Sequence, residues 1–242
     1  MAEQIIINNV SKSFGNAQVL TGIDFDMDSG RIYGFIGPSG AGKTTLVRMI
    51  AGLDYPSAGS IYVLDKVVPD RSLMQHVGFM AQSDALYSEL TGRENLAFYC
   101  SLYSLKKNVA KERIAYTAGL VGLENDLNKK VSQYSGGMKR RLSLAIALLH
   151  NPTIIILDEP TVGIDPELRR SIWEELAKLK AQGKTIIMTT HVMDEAERCD
   201  YIAMIKDGTI LASGTPYHLK TQYHAASFDD VFIKAGRKQV PL

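Results

Sequence analysis

An apolar run, Ile32-Tyr33-Gly34-Phe35-Ile36, breaks at Gly37-Pro38-Ser39-Gly40-Ala41-Gly42-Lys43-Thr44, and Thr45-Leu46 leads into the helical spacing of Val47, Met49 and Ile50. The turn fills every position of G-x-x-x-x-G-K-[ST] and lies between a predicted strand and a predicted helix, as that pattern demands. Converging backbone N–H groups have to hold a triphosphate there, and a Cβ at Gly40 or Gly42 would hinder the approach. A helix opening near Gly42 points its positive dipole end at the anion, and Gly52 is its predicted stop. Lys43 can reach the β- and γ-phosphates, and the Thr44 hydroxyl can ligate Mg²⁺.

The rest of the chain has to supply a fold that holds this loop. With 242 residues and 45% hydrophobic content, the sequence can build one large or two small cores. Its net charge of +1 gives no bulk field for nucleic acid or an acidic membrane. Cys100 and Cys199 lie far apart in sequence and outside any metal-type spacing, which reads as reduced thiols. Met1-Ala2-Glu3-Gln4 lacks the charged and apolar regions of a leader. No apolar run approaches the roughly 18 to 20 residues that span a bilayer. The expectation is a chain soluble by itself, with any membrane role supplied by a partner.

Ile5-Ile6-Ile7 predicts a strand, and Ser11-Lys12-Ser13-Phe14-Gly15-Asn16 a loop. Phe14 in that loop either stacks on an adenine ring or plugs the core. Ile23, Phe25 and Met27 alternate with Asp24, Asp26 and Asp28, the period of a strand with one wet face. Residues 60–64 add another strand, so the opening is a β-rich layer. Val77-Gly78-Phe79-Met80 is a short strand ended by Ala81-Gln82-Ser83-Asp84. A mostly helical block at about 88–150 then interrupts the α/β pattern, with Thr91 and Glu94 as a capping box, Lys106-Lys107 as loop charges and a helix over 109–123.

Tyr134-Ser135-Gly136-Gly137-Met138 leads into a helix that Asn151-Pro152 stops. Ser135 can cap it while Gly136 and Gly137 leave N–H groups bare. An anion seat is one reading; the spacing alone favours an ordinary capped core helix, with Lys139, Arg140 and Arg141 on its wet face. Ile154-Ile155-Ile156-Leu157 predicts a strand buried on both faces, ending in Asp158-Glu159 where α/β sheets place their ligands. Beside a phosphate loop this pair reads as Asp158 orienting Mg²⁺ and Glu159 polarising the attacking water, against a plain helix-start charge pair. Asp165-Pro166 starts a helix with Leu168, Ile172, Leu176 and Leu179 on its buried face and Gly183 at its end. Residues 184–191 are a further buried strand tipped by His191, by default a structural histidine. Residues 194–199 predict a short helix, Lys206-Asp207-Gly208 turns a hairpin, and a helical tail closes the chain.

The ordered set of Gly37–Thr44, Gln82, residues 134–138, residues 154–159, Asp165 and His191 resembles the nucleotide-binding subunit of ATP-binding cassette (ABC) transporters, over essentially the whole chain. The resemblance implies an α/β fold: a RecA-like P-loop NTPase core (about 31–57, 71–87 and 151–215), an antiparallel β subdomain (about 1–30 and 58–70), an inserted α-helical subdomain (about 88–150) and a short tail (216–242). It implies ATP and Mg²⁺ as cofactors, with nucleotide held by Phe14, Gly37, Pro38, Ser39, Gly40, Ala41, Gly42, Lys43, Thr44 and Thr45. It gives metal binding to Thr44, Gln82 and Asp158, and catalysis to Glu159, His191, Lys43 and Gln82. Ser135, Gly136, Gly137 and Met138 become the signature that meets nucleotide on a second copy, and Asp165 a dimer loop. The family thus overturns the bland readings of the signature helix and His191.

The signature here ends in methionine rather than the commoner glutamine, with the Ser-Gly-Gly core intact. This variant, with residues 161–166 and the tail Phe228-Asp229-Asp230-Val231-Phe232, resembles the drug-resistance and natural-product export branch. The implied partners are a second copy or homologous subunit and a transmembrane permease, with no nucleic acid. The implied location is cytoplasmic, peripheral on the inner face of the cell membrane and held there only through the permease. The alternatives are a soluble ABC ATPase uncoupled from transport, a non-hydrolysing module, which would be expected to lack Lys43, Glu159 or His191, and another P-loop enzyme such as a kinase, against which Ser135-Gly136-Gly137 argues.

Overall fold

The computed structural model describes residues 3–83 and 85–238. Residues 1 and 2 of the N-terminus read above, Asp84 and the tail residues 239–242 lie outside the described residues. In chain order the elements are β1 (Glu3–Phe14), β2 (Ala17–Asp28), β3 (Ile32–Ile36), α1 (Lys43–Ile50), β4 (Ala58–Val63), β5 (Lys66–Val67), β6 (Val77–Met80), α2 (Gly92–Leu102), α3 (Lys107–Leu120), α4 (Gly136–Leu148), β7 (Ile154–Asp158), α5 (Pro166–Ala181), β8 (Thr185–Thr190), α6 (Met193–Ala196), β9 (Tyr201–Lys206), β10 (Thr209–Gly214), α7 (Pro216–Gln222) and α8 (Phe228–Lys238). They divide between two compact units, one running to Arg71 and resuming at Thr185, the other Ser72–Lys184.

In the first unit an antiparallel sheet is ordered β2-β1-β4-β5, and β10-β9-β3-β8 run side by side. β3 is parallel to both neighbours, Gly34 standing opposite Met188 and Ile202. Every residue of β3 and β8 is buried, as parallel strands covered on both faces should be. The alternation predicted for β2 holds: Ile23, Phe25 and Met27 are buried, Asp24 and Asp26 exposed. Phe25 sits in an aromatic cluster with Tyr33, Phe35 and Tyr201, its ring centroid 5.5 to 6.1 Å from theirs.

The predicted loop at 11–16 is mostly strand, because β1 continues to Phe14 before a turn at Gly15-Asn16. Its polar sequence concealed this. Lys12 lies inside the fold, with its Nζ donating to Asp54 Oδ1 and the Tyr55 carbonyl, each at 2.7 Å. A lysine can bury its stem when its tip finds such acceptors.

In the second unit β6 and β7 pair in parallel, from Val77 opposite Ile154 to Met80 opposite Leu157. α4 packs on both strands and on α2 and α3. The capping box at Thr91 and Glu94 is present, with the Thr91 hydroxyl accepting from the Glu94 N–H at 3.1 Å. The predicted loop charges straddle a helix start, Lys106 just before α3 and Lys107 as its first residue. On α5 the buried face is Ile172, Trp173, Leu176 and Leu179, and Leu168 is only half-buried. Tyr116 of α3 donates to Glu175 of α5 at 2.5 Å. Both cysteines are buried and reduced, and burial pushes both thiols up.

Candidate nucleotide site

β3 delivers the chain to Gly37, where a Cβ would lie 2.0 Å from the Ile205 carbonyl oxygen, so only glycine fits. The loop then climbs over Pro38, Ser39 and Gly40, all exposed, and re-enters through buried Ala41 and Gly42. Gly42 has φ 99 and stands at the N-cap of α1, where no side chain caps the helix. A Cβ there would sit 2.5 Å from Leu20 Cδ2, so both conformation and space require glycine.

Lys43 is 5% exposed, and its Nζ donates to the carbonyls of Gly37 (2.8 Å) and Pro38 (2.9 Å). These bonds hold a cation under the loop, where an ammonium can meet phosphate charge without leaving its pocket. Thr44 and Thr45 are half-buried in the first turn of α1. Phe14 is at the tip of the β1–β2 hairpin, whose Val19 and Leu20 pack against Gly42. Its ring is 51% exposed, so it does not plug the core, and Lys12 Nζ lies over one face, 4.8 Å from the centroid. His191 is exposed immediately after β8, the strand beside β3. Thr190 next to it is buried, its hydroxyl donating to Glu195 at 2.7 Å.

The second unit places the two carboxylates differently. Asp158, the last residue of β7, is fully buried. Glu159 follows with φ 52, a left-handed conformation that costs a side-chain-bearing residue roughly 1–2 kcal/mol. The twist turns the chain out of the strand, and Glu159 Oε2 accepts from Gln82 Nε2 at 3.3 Å. Arg140 of α4 supports the twist: Nη2 donates to the carbonyls of Asp158 and Glu159, the latter at 2.8 Å. Its Nη1 donates to the carbonyls of Ala81 (2.7 Å) and Gln82 (2.8 Å).

Arg140 therefore corrects the sequence reading of a wet face at 139–141. It is 8% exposed, while Lys139 and Arg141 are half-buried. One signal could have found it: Arg140 lies one turn before Leu144 and two before Ala147, on the apolar stripe of α4.

Ser135 caps α4, its Oγ accepting the Met138 N–H at 3.2 Å, with Gly136 and Gly137 in the first turn. Asp165 caps α5 in the same way through the Leu168 N–H at 3.0 Å, and Pro166 takes the first helical position. Of the predicted residues in this unit, Gln82 and Glu159 meet, whereas the Ser135 and Asp165 side chains serve their own helices.

A family model described as ABC transporter matches residues 20–162. The chain belongs to the ABC transporter family. The cassette is 43% identical over 218 residues to a protein named Nod factor export ATP-binding protein I from Burkholderia orbicola (strain AU 1054), covering 89% of this chain and 72% of that one. A protein of the same name from Rhizobium sp. (strain N33) is 42% identical over 231 residues, 94% of this chain and 76% of its own. A solved structure of an ATP-binding subunit of an ABC transporter superposes with a TM-score of 0.89 at 28% identity, over 96% of this chain and 99% of that chain. A dimeric cassette in a post-hydrolysis state, bound to ADP and Pi, superposes with a TM-score of 0.81 at 28% identity, over 87% and 98%. The fold is that of an α/β P-loop NTPase, and the chain is an ATP-binding ABC ATPase. No helix among the described residues is long and apolar enough to cross a membrane.

Proposed function

We propose that this cassette is the ATP-hydrolysing subunit of an exporter. It closes head to tail on a second copy or a homologous subunit and drives a separate transmembrane permease from the inner face of the cell membrane. Export rests on the name borne by the relatives, and pairing on the dimeric neighbour. The observation that carries hydrolysis is Glu159, a half-buried carboxylate turned out of β7 and held by Gln82.

Phe14 stacks on the base, residues 37–45 cradle the phosphates, and Lys43 meets the β- and γ-oxygens. Glu159 takes a proton from the attacking water, while His191 and Gln82 orient the γ-phosphoryl end. Thr44, Asp158 and Gln82 offer a hydroxyl, a carboxylate and an amide oxygen, the hard donors that suit Mg²⁺. Bound there, the ion would neutralise charge developing on the phosphates. Ser135–Met138 close on the triphosphate of the other copy, and Asp165 lies along that seam. The proposal includes the domain limits inferred from the sequence: an antiparallel β layer, a nucleotide core, a helical insertion at about 88–150 and a tail from 216.

Two variants test it. Glu159→Gln should bind ATP and stay paired while turnover drops roughly 10²- to 10⁴-fold; hydrolysis at the native rate would remove Glu159 as base. Ser135→Arg should block ATP-dependent pairing on a sizing column and leave nucleotide binding by the monomer intact. Unchanged pairing would refute the shared site. Co-purification of a membrane chain from native membranes separates an exporter subunit from a soluble ATPase.

A further inference from the structure

Arg140 spends its guanidinium on four backbone carbonyls and bridges three segments. It rises from α4, five residues after the Ser135 cap. Nη1 holds Ala81 and Gln82, and Nη2 holds Asp158 and Glu159. Its partners lie 18 to 59 residues away in sequence. The planar fork presents donors in fixed directions, so the two backbone pairs cannot shift relative to each other without losing bonds. Gln82 and Glu159, whose side chains meet at 3.3 Å, are thereby fastened to one support.

We infer that Arg140 is a positioning residue for hydrolysis: it locks the left-handed backbone at Glu159 and the Gln82 loop to α4, so that base and glutamine take their aim from the helix that begins at Ser135. The inference rests on the reading of Glu159 as general base and adds a residue that acts through the backbone carbonyls behind that base. Lysine cannot replace it fully, because a single ammonium cannot bridge both carbonyl pairs.

Steady-state and single-turnover ATP hydrolysis by Arg140→Met and Arg140→Lys test this, with melting curves as the check on folding. Displacing a reacting group by about 1 Å costs up to roughly 10²-fold in rate. Arg140→Met should therefore lose roughly 10²-fold and Arg140→Lys roughly 10-fold in kcat, with KM for ATP within about 2-fold of native. A role confined to stability would not divide kcat from KM in this way. The deciding measurement is a cycle with Glu159→Gln: if Arg140 acts through Glu159, adding Arg140→Met to Glu159→Gln slows the residual single-turnover rate by less than about 2-fold. A full further 10²-fold loss overturns the inference, as does a native kcat in folded Arg140→Met. Should Arg140→Met fail to fold, Arg140→Lys decides, and native kcat there also overturns it. A native rate in Glu159→Gln itself would instead bring down the underlying assignment of the base, so the two failures are distinct.

Discussion

α1 and α4 both open on glycines, yet they open differently. α1 begins at Gly42 with no capping side chain, and only eight residues follow. α4 begins at Ser135, which caps its own third residue, and runs for thirteen. Every helix start leaves N–H groups without intrahelical partners. A short helix is not stable alone in water, so α1 depends on burying Leu46, Val47, Met49 and Ile50. It spends no side chain on its own end. α4 meets part of the demand itself and buries most of its length. The difference fits the proposed roles. A seat for the chain's own nucleotide can be left open, whereas a seat for a partner's nucleotide must hold its shape while the partner is away.

The contrast can be broken in four ways. The largest effect belongs to Lys43→Ala, which should lower the rate of phosphate release roughly 10²- to 10³-fold, the scale of losing one preorganised charge donor. Amide exchange along α4 should stay as it was; if α4 loosens too, the two helix starts are not independent.

The second is acid. His150 follows the last turn of α4 and stacks on Tyr103, with ring centroids 3.8 Å apart. Burial lowers its pKa from 6.5 to about 4, with Arg113, Lys184 and His76 adding repulsion in the same direction. Between those values the unfolded chain takes up a proton that the folded chain does not, so stability rises with pH across the window. It is fully present above 6.5 and is lost as pH falls toward 4, a difference of about 2 to 3 kcal/mol. His150→Phe keeps a stacked ring and should flatten that slope in urea unfolding at several pH values. Acid-enhanced amide exchange should appear at the end of α4 and not in α1.

Gly42→Ala comes third. The φ of 99 and the nearby Leu20 side chain should make it cost about 1–3 kcal/mol in chemical denaturation and raise KM for ATP. Ser135→Ala is the smallest, about 1 kcal/mol for a lost cap, with ATP affinity of the monomer unchanged. If Ser135→Ala weakened monomer binding as much as Gly42→Ala, the division of labour between the two helix starts would be wrong.

Local rules carried the sequence reading where the signals are local. The caps at Thr91, Ser135 and Asp165, the alternation in β2 and the buried runs of β3, β7 and β8 all depend on neighbours within a few residues. The reading failed at Lys12, Arg140 and Leu168. Lys12, predicted in a loop, and Arg140, predicted on a wet face, instead reach carbonyl and carboxylate oxygens more than fifteen residues away. No window of periodicity contains those partners. At Leu168 the side chain is only half-buried, while Trp173 of the same helix is buried.

Sequence alone determined the glycine-rich loop between β3 and α1, because the pattern at 37–44 fixes both the glycines its turns need and the lysine beneath it. It also determined that residues 154–157 form a strand covered on both faces. Tertiary structure decided that Lys43 is parked on the carbonyls of its own loop, that Glu159 leaves β7 through a left-handed turn, and that one buried guanidinium ties that turn to Gln82. A side chain's charge is written in the sequence, but the acceptors that make its burial tolerable arrive only when distant segments fold against it.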